Sequence, residues 1–388
     1  MNVSAFNDDL HLLNGNHAVA WGVRLAAPDV APLYPITPQT PILEKLIDFQ
    51  SSNLLDAELF TPESEHSAMA AAIAASVTGA RVFTATSSQG LLLMHELLHF
   101  AAGARTPIVM CNVNRTPASP WGFWPDQIDS LSQRDTGWIQ FYCENPQDSL
   151  DTIIQAFQIA ETVSLPVMVN HDAFYVSHSV EPVSLPSSET VQGFLPRLDR
   201  QNQLADSSGR SVGAPVSQAA WNQTRRAMDA DMQKVEALTV KAGEEWANLT
   251  GRSTAPLEQY RTSDAEVVFV TMGSMAGTAR LAVDTLREKG IAAGLLKVRL
   301  FRPLPVASLC DALSGTSCAL VLDRNYSPGT GGVLHQELKS TLFGLNAAPR
   351  LFGMLSGVGG VNVPPETLEK LAIEYRTANA DNQPIWVE

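Results

Sequence analysis

Arg81-Val82-Phe83-Thr84-Ala85-Thr86 and Pro107-Ile108-Val109-Met110-Cys111-Asn112-Val113, with residues 90–102 between them, decide the fold of this 388-residue chain. Both quoted runs are short and apolar, with β-branched residues, and read as strands. The intervening segment has the length and apolar character of a helix. Strands alternating with helices of about 10–15 residues imply a parallel sheet, and continuous apolar strands imply helices on both of its faces. The same alternation extends outward. Residues 18–27 read as a helix and 30–33 as a short apolar run. Residues 149–163 are amphipathic, and 165–170 read as another strand. We therefore expect one α/β domain over residues 1–184. A second α/β unit, 264–388, follows from strands at 266–271, 291–299 and 319–323 and a helix at 276–289. Between them, residues 185–263 are polar, with a helical segment at 216–249, and read as a connecting arm lying across a neighbouring subunit.

Tyr34-Pro35-Ile36-Thr37-Pro38-Gln39-Thr40-Pro41 follows the apolar run at 30–33. Three prolines in eight residues fix φ and remove backbone donors, so this segment is neither helix interior nor central strand. A stiff turn at a strand end that presents Thr37 and Gln39 suits substrate positioning, or is an ordinary proline-rich turn. Ser327-Pro328-Gly329-Thr330-Gly331-Gly332 before a helix is either a tight turn or an anion cradle, although it lacks a phosphate-binding lysine.

Composition excludes several classes. A net charge of −14 argues against nucleic-acid binding, which needs a basic face. There is no charged segment followed by an apolar one at the N-terminus, and no run of about 18 apolar residues, so neither signal peptide nor membrane span is expected. Cys111, Cys143, Cys310 and Cys318 are scattered without a C-x-x-C pair. Neither an iron–sulfur cluster nor a structural zinc is expected on such spacing. A reduced, cytoplasmic protein is the plain reading.

Candidate chemistry is sparse. Glu63-Ser64-Glu65-His66 opens an alanine-rich helix, wholly buried by its composition at residues 69–77. The two carboxylates either cap that helix, or one is drawn into a desolvated site as a proton donor or acceptor. Arg115 stands just past a parallel strand, at the edge where ligands collect, and its planar fork suits a carboxylate; a surface ion pair is the alternative. Trp121, Phe123, Trp124 and Trp138 cluster as pocket wall or interface. His95-Glu96-x-x-His99 matches the zinc-protease pattern. Its leucine-rich flanks imply a buried helix and no third ligand follows, so no metal site is expected.

Taken together, Gly15-Asn16-x-Ala18, Tyr34-Pro35-Ile36-Thr37-Pro38, Glu63-Ser64-Glu65, Ser88-Gln89-Gly90-Leu91-Leu92-Leu93-Met94 and Asn114-Arg115 occur in one family's order. So do Asp129-Ser130, Arg134-Asp135-Thr136-Gly137-Trp138, Ser177-His178-x-Val180-Glu181-Pro182-Val183, Val298-Arg299-Leu300-Phe301-Arg302-Pro303 and Val321-Leu322-Asp323-Arg324. The chain resembles the α subunit of the 2-oxoacid:ferredoxin oxidoreductases, the pyruvate synthase and phenylglyoxylate dehydrogenase group. The resemblance is weakest over 187–262.

The resemblance implies a thiamine-diphosphate-binding-fold pyrimidine domain followed by a transketolase C-terminal-like domain. It implies that Glu65 hydrogen-bonds the cofactor's aminopyrimidine, that Pro35, Ile36 and Gln89 line the cofactor, and that Thr37 and Arg115 hold the 2-oxoacid. It further implies oxidative decarboxylation to an acyl-coenzyme A, with electrons passing to iron–sulfur clusters. This chain carries no G-D-G…N-N segment for Mg²⁺ and diphosphate and no cluster cysteines. A β subunit with the diphosphate domain, and γ and ferredoxin-like δ subunits, are therefore expected to complete the reaction with ferredoxin or another acceptor. Members acting on pyruvate carry mostly aliphatic residues after the substrate arginine, whereas Trp121 and Phe123 stand here. These rings fit an aromatic 2-oxoacid such as phenylglyoxylate, a smaller pocket for pyruvate, or interface packing. Branched-chain 2-oxoacids, 2-oxoglutarate and a non-catalytic scaffold role are the remaining alternatives.

Overall fold

A computed structural model describes residues 9–198, 211–379 and 383–388. Its first sheet contains β2 (Val30–Pro32), β3 (Glu58–Phe60), β4 (Val82–Thr86), β5 (Ile108–Asn114), β6 (Ile139–Cys143) and β7 (Val167–Asp172). An antiparallel hairpin-like pair, β1 (Asp9–Asn14) with β8 (Val180–Leu185), flanks it. The second sheet is built from β9 (Leu257–Tyr260), β10 (Val267–Thr271), β11 (Ala293–Val298), β13 (Cys318–Asp323), β14 (Arg350–Ser356) and β15 (Ile385–Val387). Between β11 and β13, β12 (Leu300–Arg302) leaves that sheet and joins the first.

The first sheet runs β12-β6-β7-β5-β4-β2-β3 and is parallel except for β12. Side chains on each strand alternate between two cores, as the two-residue strand period requires. Phe83, Ala85, Val109, Cys111 and Val113 face the core under helices Gly15–Ala26, Thr40–Ser51 and Pro146–Val163. Val82, Ile108 and Met110 face the opposite core, with Met69, Leu98 and Trp138. The second sheet, β15-β14-β13-β10-β11-β9, is likewise parallel except at β9 and lies between two helical layers. One of its cores takes in Leu131 and Tyr142 from the first unit, so the two units share buried apolar surface.

Several details depart from the sequence reading. Leu257–Tyr260 falls inside the segment read as an arm, yet it pairs with β11. That segment's helix is two helices, Gln218–Met232 and Val235–Thr250, and the second buries Val235, Ala242 and Trp246 in the first unit's own core. Phe194 meets Trp246 edge-on there, at a centroid separation of 5.0 Å. The alanine-rich helix Glu65–Val77 is not wholly buried: Ala70 and Ala74 lie on an exposed face. Alanine's small apolar side chain reads alike on either face, which is why composition misled.

The motif Val298-Arg299-Leu300-Phe301-Arg302-Pro303 joins the units. Lys297 is 3% exposed and donates to Asp148 at 2.9 Å and to Glu258 at 3.2 Å, with Glu144 at 3.1 Å. The buried Arg299 donates to Asp148, Thr152 and Gln155 on helix Pro146–Val163. These cations hold the Asp148 carboxyl well below the usual range against the opposing effect of burial. Burying so many charges is tolerable because each finds an opposite partner.

Candidate active site

Four successive strands of the first sheet end on the same edge, and each delivers one candidate residue. β2 leads into the turn carrying Thr37, β3 into the helix beginning at Glu65, β4 into Ser88 and Gln89, and β5 into Arg115. The carboxyl edge of a parallel sheet is where α/β proteins bind ligands, because loops there converge while the strands stay rigid.

Arg115 organises the group. It is 4% exposed; its Nη1 donates to the carbonyl of Thr37 at 2.5 Å and its Nη2 to the amide oxygen of Gln89. Nε is buried without a partner. The ring centroids of Trp121 and Phe123 lie 5.1 and 5.9 Å from the guanidinium carbon, and the rings meet edge to face. Burial lowers the pKa of this guanidinium, while the nearby Asp129 and Glu65 charges raise it. Thr37 itself is exposed. Pro35 is exposed and Ile36 half-buried beside it, whereas Gln39 is fully buried with both amide atoms unpartnered. The turn therefore presents Thr37 but not Gln39: the chain turns inward at Pro38, whose carbonyl accepts from Asn16 Nδ2 at 2.7 Å.

At the helix start, Glu63 and Ser64 take the capping work. Ser64 accepts from the Ser67 amide at 3.2 Å, and Ser67 donates to Glu63 at 2.6 Å. Glu65, 8% exposed, accepts no hydrogen bond among the described residues. It lies against Gly90, where an added Cβ would stand 2.6 Å from Oε1. A buried carboxylate without a donor, at the ligand edge of the sheet, fits the hydrogen-bonding nitrogen of an aminopyrimidine. The residues present thus fit the pyrimidine end of thiamine diphosphate.

Beneath these groups sits Asp129, fully buried, to which the sequence reading assigned no role. Its five partners all donate: the amides of Ser88, Arg115 and Ser130, and the side-chain amides of Asn112 and Asn114. Burial pushes its carboxyl up to about 6 against those hydrogen bonds. Two asparagines inside a strand otherwise made of buried apolar residues were the available signal. Ser88 adopts φ +46°, a left-handed conformation rare outside glycine, and such strain gathers at functional sites.

Other candidates separate from this group. Trp138 is fully buried and donates from Nε1 to Leu98 O at 3.0 Å, so it does not join Trp121 and Phe123. Trp124 packs on Phe174 and on Gly360 of the second unit. His95, Glu96 and His99 lie on the exposed face of helix His95–Gly103, not in a buried one. Among the described residues, no three His, Cys, Asp or Glu stand together as metal ligands. The glycine-rich turn is no anion cradle. The helix after it receives the chain's own Asp323, whose carboxylate accepts from the amides of Leu334 and His335, while Asn325 accepts from Val333. Gly332 is needed for this approach, since a Cβ there would lie 2.0 Å from Asp323. Cavities of about 580 and 930 Å³ lie away from Thr37, Glu65 and Arg115, the first against residues 259–266 and 311–317, the second against 99–105 and 211–225.

Comparison with known proteins gives the family. Residues 22–244 match the family described as "Pyruvate flavodoxin/ferredoxin oxidoreductase, thiamine diP-bdg", and residues 265–368 match "Pyruvate:ferredoxin oxidoreductase core domain II". The chain is 41% identical over 380 residues to pyruvate synthase subunit PorA of Methanothermobacter thermautotrophicus, covering 97% of this chain and 98% of that one. It is 45% identical over 367 residues to ketoisovalerate oxidoreductase subunit VorA of Pyrococcus abyssi, covering 94% and 93%. Among solved structures, 2-oxoglutarate:ferredoxin oxidoreductase from Magnetococcus marinus superposes with a TM-score of 0.73 at 20% identity, over 95% of this chain and 66% of that longer one, a likeness of fold.

Proposed function

The chain belongs to the α subunits of the 2-oxoacid:ferredoxin oxidoreductases, and from that premise we propose that it binds the pyrimidine end of thiamine diphosphate and the carboxylate of an apolar, monoanionic 2-oxoacid. The observation that carries this reading is Arg115, with Nε unpartnered, fixed between Thr37 and Gln89 beside the unpartnered Glu65. When bound, thiamine diphosphate supplies a nucleophilic carbon and an electron sink for decarboxylation. Glu65 holds the cofactor's ring nitrogen and sets the proton on it. The Thr37 hydroxyl and Arg115 orient the 2-oxoacid, the guanidinium meeting its carboxylate. Trp121 and Phe123 roof Arg115 and exclude water from it. No second cation touches Arg115 among its described contacts, two rings cover it, and the charged groups near it, Glu65 and Asp129, are anionic; this favours an apolar substituent over a second carboxylate, and so disfavours 2-oxoglutarate.

The overall reaction converts a 2-oxoacid anion and coenzyme A into an acyl-coenzyme A and carbon dioxide, releasing two electrons and one proton. Iron–sulfur clusters of γ and δ-type partners would carry those electrons to ferredoxin. A β subunit supplies Mg²⁺ and the diphosphate site. The relatives named for pyruvate and for ketoisovalerate support aliphatic substrates ahead of phenylglyoxylate. The test is dye reduction by the natively purified complex, under anaerobic conditions with coenzyme A, comparing kcat/KM for pyruvate, 2-oxoisovalerate, 2-oxoglutarate and phenylglyoxylate. Preference for an aliphatic monoanion is expected. Preference for 2-oxoglutarate would overturn the carboxylate argument, and no turnover of any would leave only a scaffold role.

A further inference from the structure

The carboxylate of Asp129 is fully buried and accepts only from backbone and asparagine amides, yet it ties together the two segments that aim Arg115. Its Oδ2 accepts from the Ser88 amide at 3.1 Å and the Arg115 amide at 3.2 Å, and from Asn112 Nδ2 at 3.3 Å. Its Oδ1 accepts from Asn114 Nδ2 and the Ser130 amide, each at 2.7 Å. Ser88, held at φ +46°, has one hydroxyl proton, shared between Gln89 Oε1 at 2.6 Å and Thr116 O at 2.8 Å. Gln89 Oε1 in turn accepts from Arg115 Nη2. One carboxylate thus fixes the backbone from which the guanidinium springs, and also fixes the strained turn that carries the guanidinium's partner. Among the described residues no carboxylate forms an ion pair with Arg115 itself, so its positive charge stays available at the edge.

We propose that Asp129 is a positioning residue for Arg115, acting through Ser88 and Gln89, and that this relay sets affinity for the 2-oxoacid without contacting it. The inference rests on the reading of Arg115 as the anchor of the substrate carboxylate. All five partners of Asp129 are donors, so the site requires an acceptor on both oxygens. In Asp129→Asn, the amide nitrogen must face at least two of those donors, Asn114 and Ser130 in the Oδ1 place or Ser88, Arg115 and Asn112 in the Oδ2 place, and either arrangement shifts the group that holds the Ser88 and Arg115 amides. A displacement of this kind costs on the order of 10- to 100-fold in a catalytic constant.

The experiment is a double-mutant cycle in the assembled complex, with Asp129→Asn, Arg115→Lys and the pair. The readouts are KM and kcat for the preferred 2-oxoacid, and thiamine diphosphate affinity from tryptophan fluorescence. Expected are a KM raised at least about tenfold by Asp129→Asn, cofactor affinity unchanged, and a double variant no worse than Arg115→Lys alone. Losses that multiply, or a cofactor affinity that falls in parallel, would overturn the relay while leaving the role of Arg115 intact. A wild-type KM in Arg115→Lys would overturn both the relay and the substrate reading beneath it. If Asp129→Asn does not assemble, Gln89→Met carries the same cycle, removing the acceptor that the guanidinium shares with the Ser88 hydroxyl; additivity there sinks the proposal equally.

Discussion

Replacing Gly90 with alanine separates the chemistry from the fold. A Cβ at this position of helix Ser88–Leu93 would stand 2.6 Å from Glu65 Oε1, 2.8 Å from its Cγ and 2.6 Å from Thr86 Oγ1. Ordinary contact begins near 3.4 Å, so Glu65 must retreat by about 0.8 Å. Its carboxylate is the end of a flexible side chain with no hydrogen bond to lose, and the buried Thr86 hydroxyl has no partner either. The carboxylate can yield at small cost, while Thr86 Oγ1, one bond from its Cβ in a buried strand, must turn about χ1. Alanine is also preferred over glycine in a helix interior by roughly 1 kcal/mol, which offsets part of that strain. The assembled complex should therefore stay folded, with a denaturation midpoint modestly below wild type. Moving the carboxylate by most of an ångström should lower kcat about 100-fold and weaken thiamine diphosphate. Steady-state dye reduction and a fluorescence titration of the cofactor-free complex measure both. Wild-type kcat and cofactor affinity in Gly90→Ala would refute the placement of Glu65 at the cofactor.

Three further perturbations reach other parts of the account. Lys297→Met takes from Glu258 its cation and from Asp148 and Glu144 one of two, leaving them Arg299 and Arg280, and should destabilise the complex by about 3–5 kcal/mol; a urea midpoint that does not fall would show that this junction is not held by charge. Burial pushes Asp126 up to about 7, above an unfolded value near 3.9, so the stability it allows at low pH is lost as the pH rises through 7. Asp126→Asn keeps the acceptor for the Ile128 amide, and its stability gain over wild type should grow by about 3 kcal/mol between roughly pH 5 and pH 8; a gain that does not change with pH would contradict this. Trp121→Ala removes one of the two rings over Arg115, and should change the kcat/KM ratio of 2-oxoisovalerate to pyruvate by about tenfold; an unchanged ratio would return that ring to subunit packing.

Much of the architecture was legible because buried parallel strands are written as continuous apolar runs. The runs at 81–86 and 107–113 are β4 and β5, paired in parallel between two helical layers. Thr37, Glu65 and Arg115 come from three different strand ends, and their gathering on one edge follows from that topology. What stayed hidden depends on long-range partners. Nothing local indicates that Leu300–Arg302 crosses back to pair with β6, or that Lys297 finds its carboxylates on another unit. The filled helix start after Gly332 could not be foreseen either, because its anion is Asp323, nine positions earlier. Sequence neighbours also part company: Trp138 enters the core while Trp121 and Phe123 remain on the exposed loop. The exposed face of helix His95–Gly103 was misread because the leucines before it, Leu92 and Leu93, are themselves exposed, so they signal no burial.

The most direct test of the central claim is 2-oxoacid-dependent dye reduction by the complex carrying Glu65→Gln, beside wild type, each with and without added thiamine diphosphate. Glutamine keeps the shape but cannot hold the ring nitrogen as a carboxylate does. The account predicts cofactor-dependent turnover in wild type and a loss of about 100- to 10,000-fold in the variant, with the complex still assembled. Turnover by Glu65→Gln equal to wild type would contradict it.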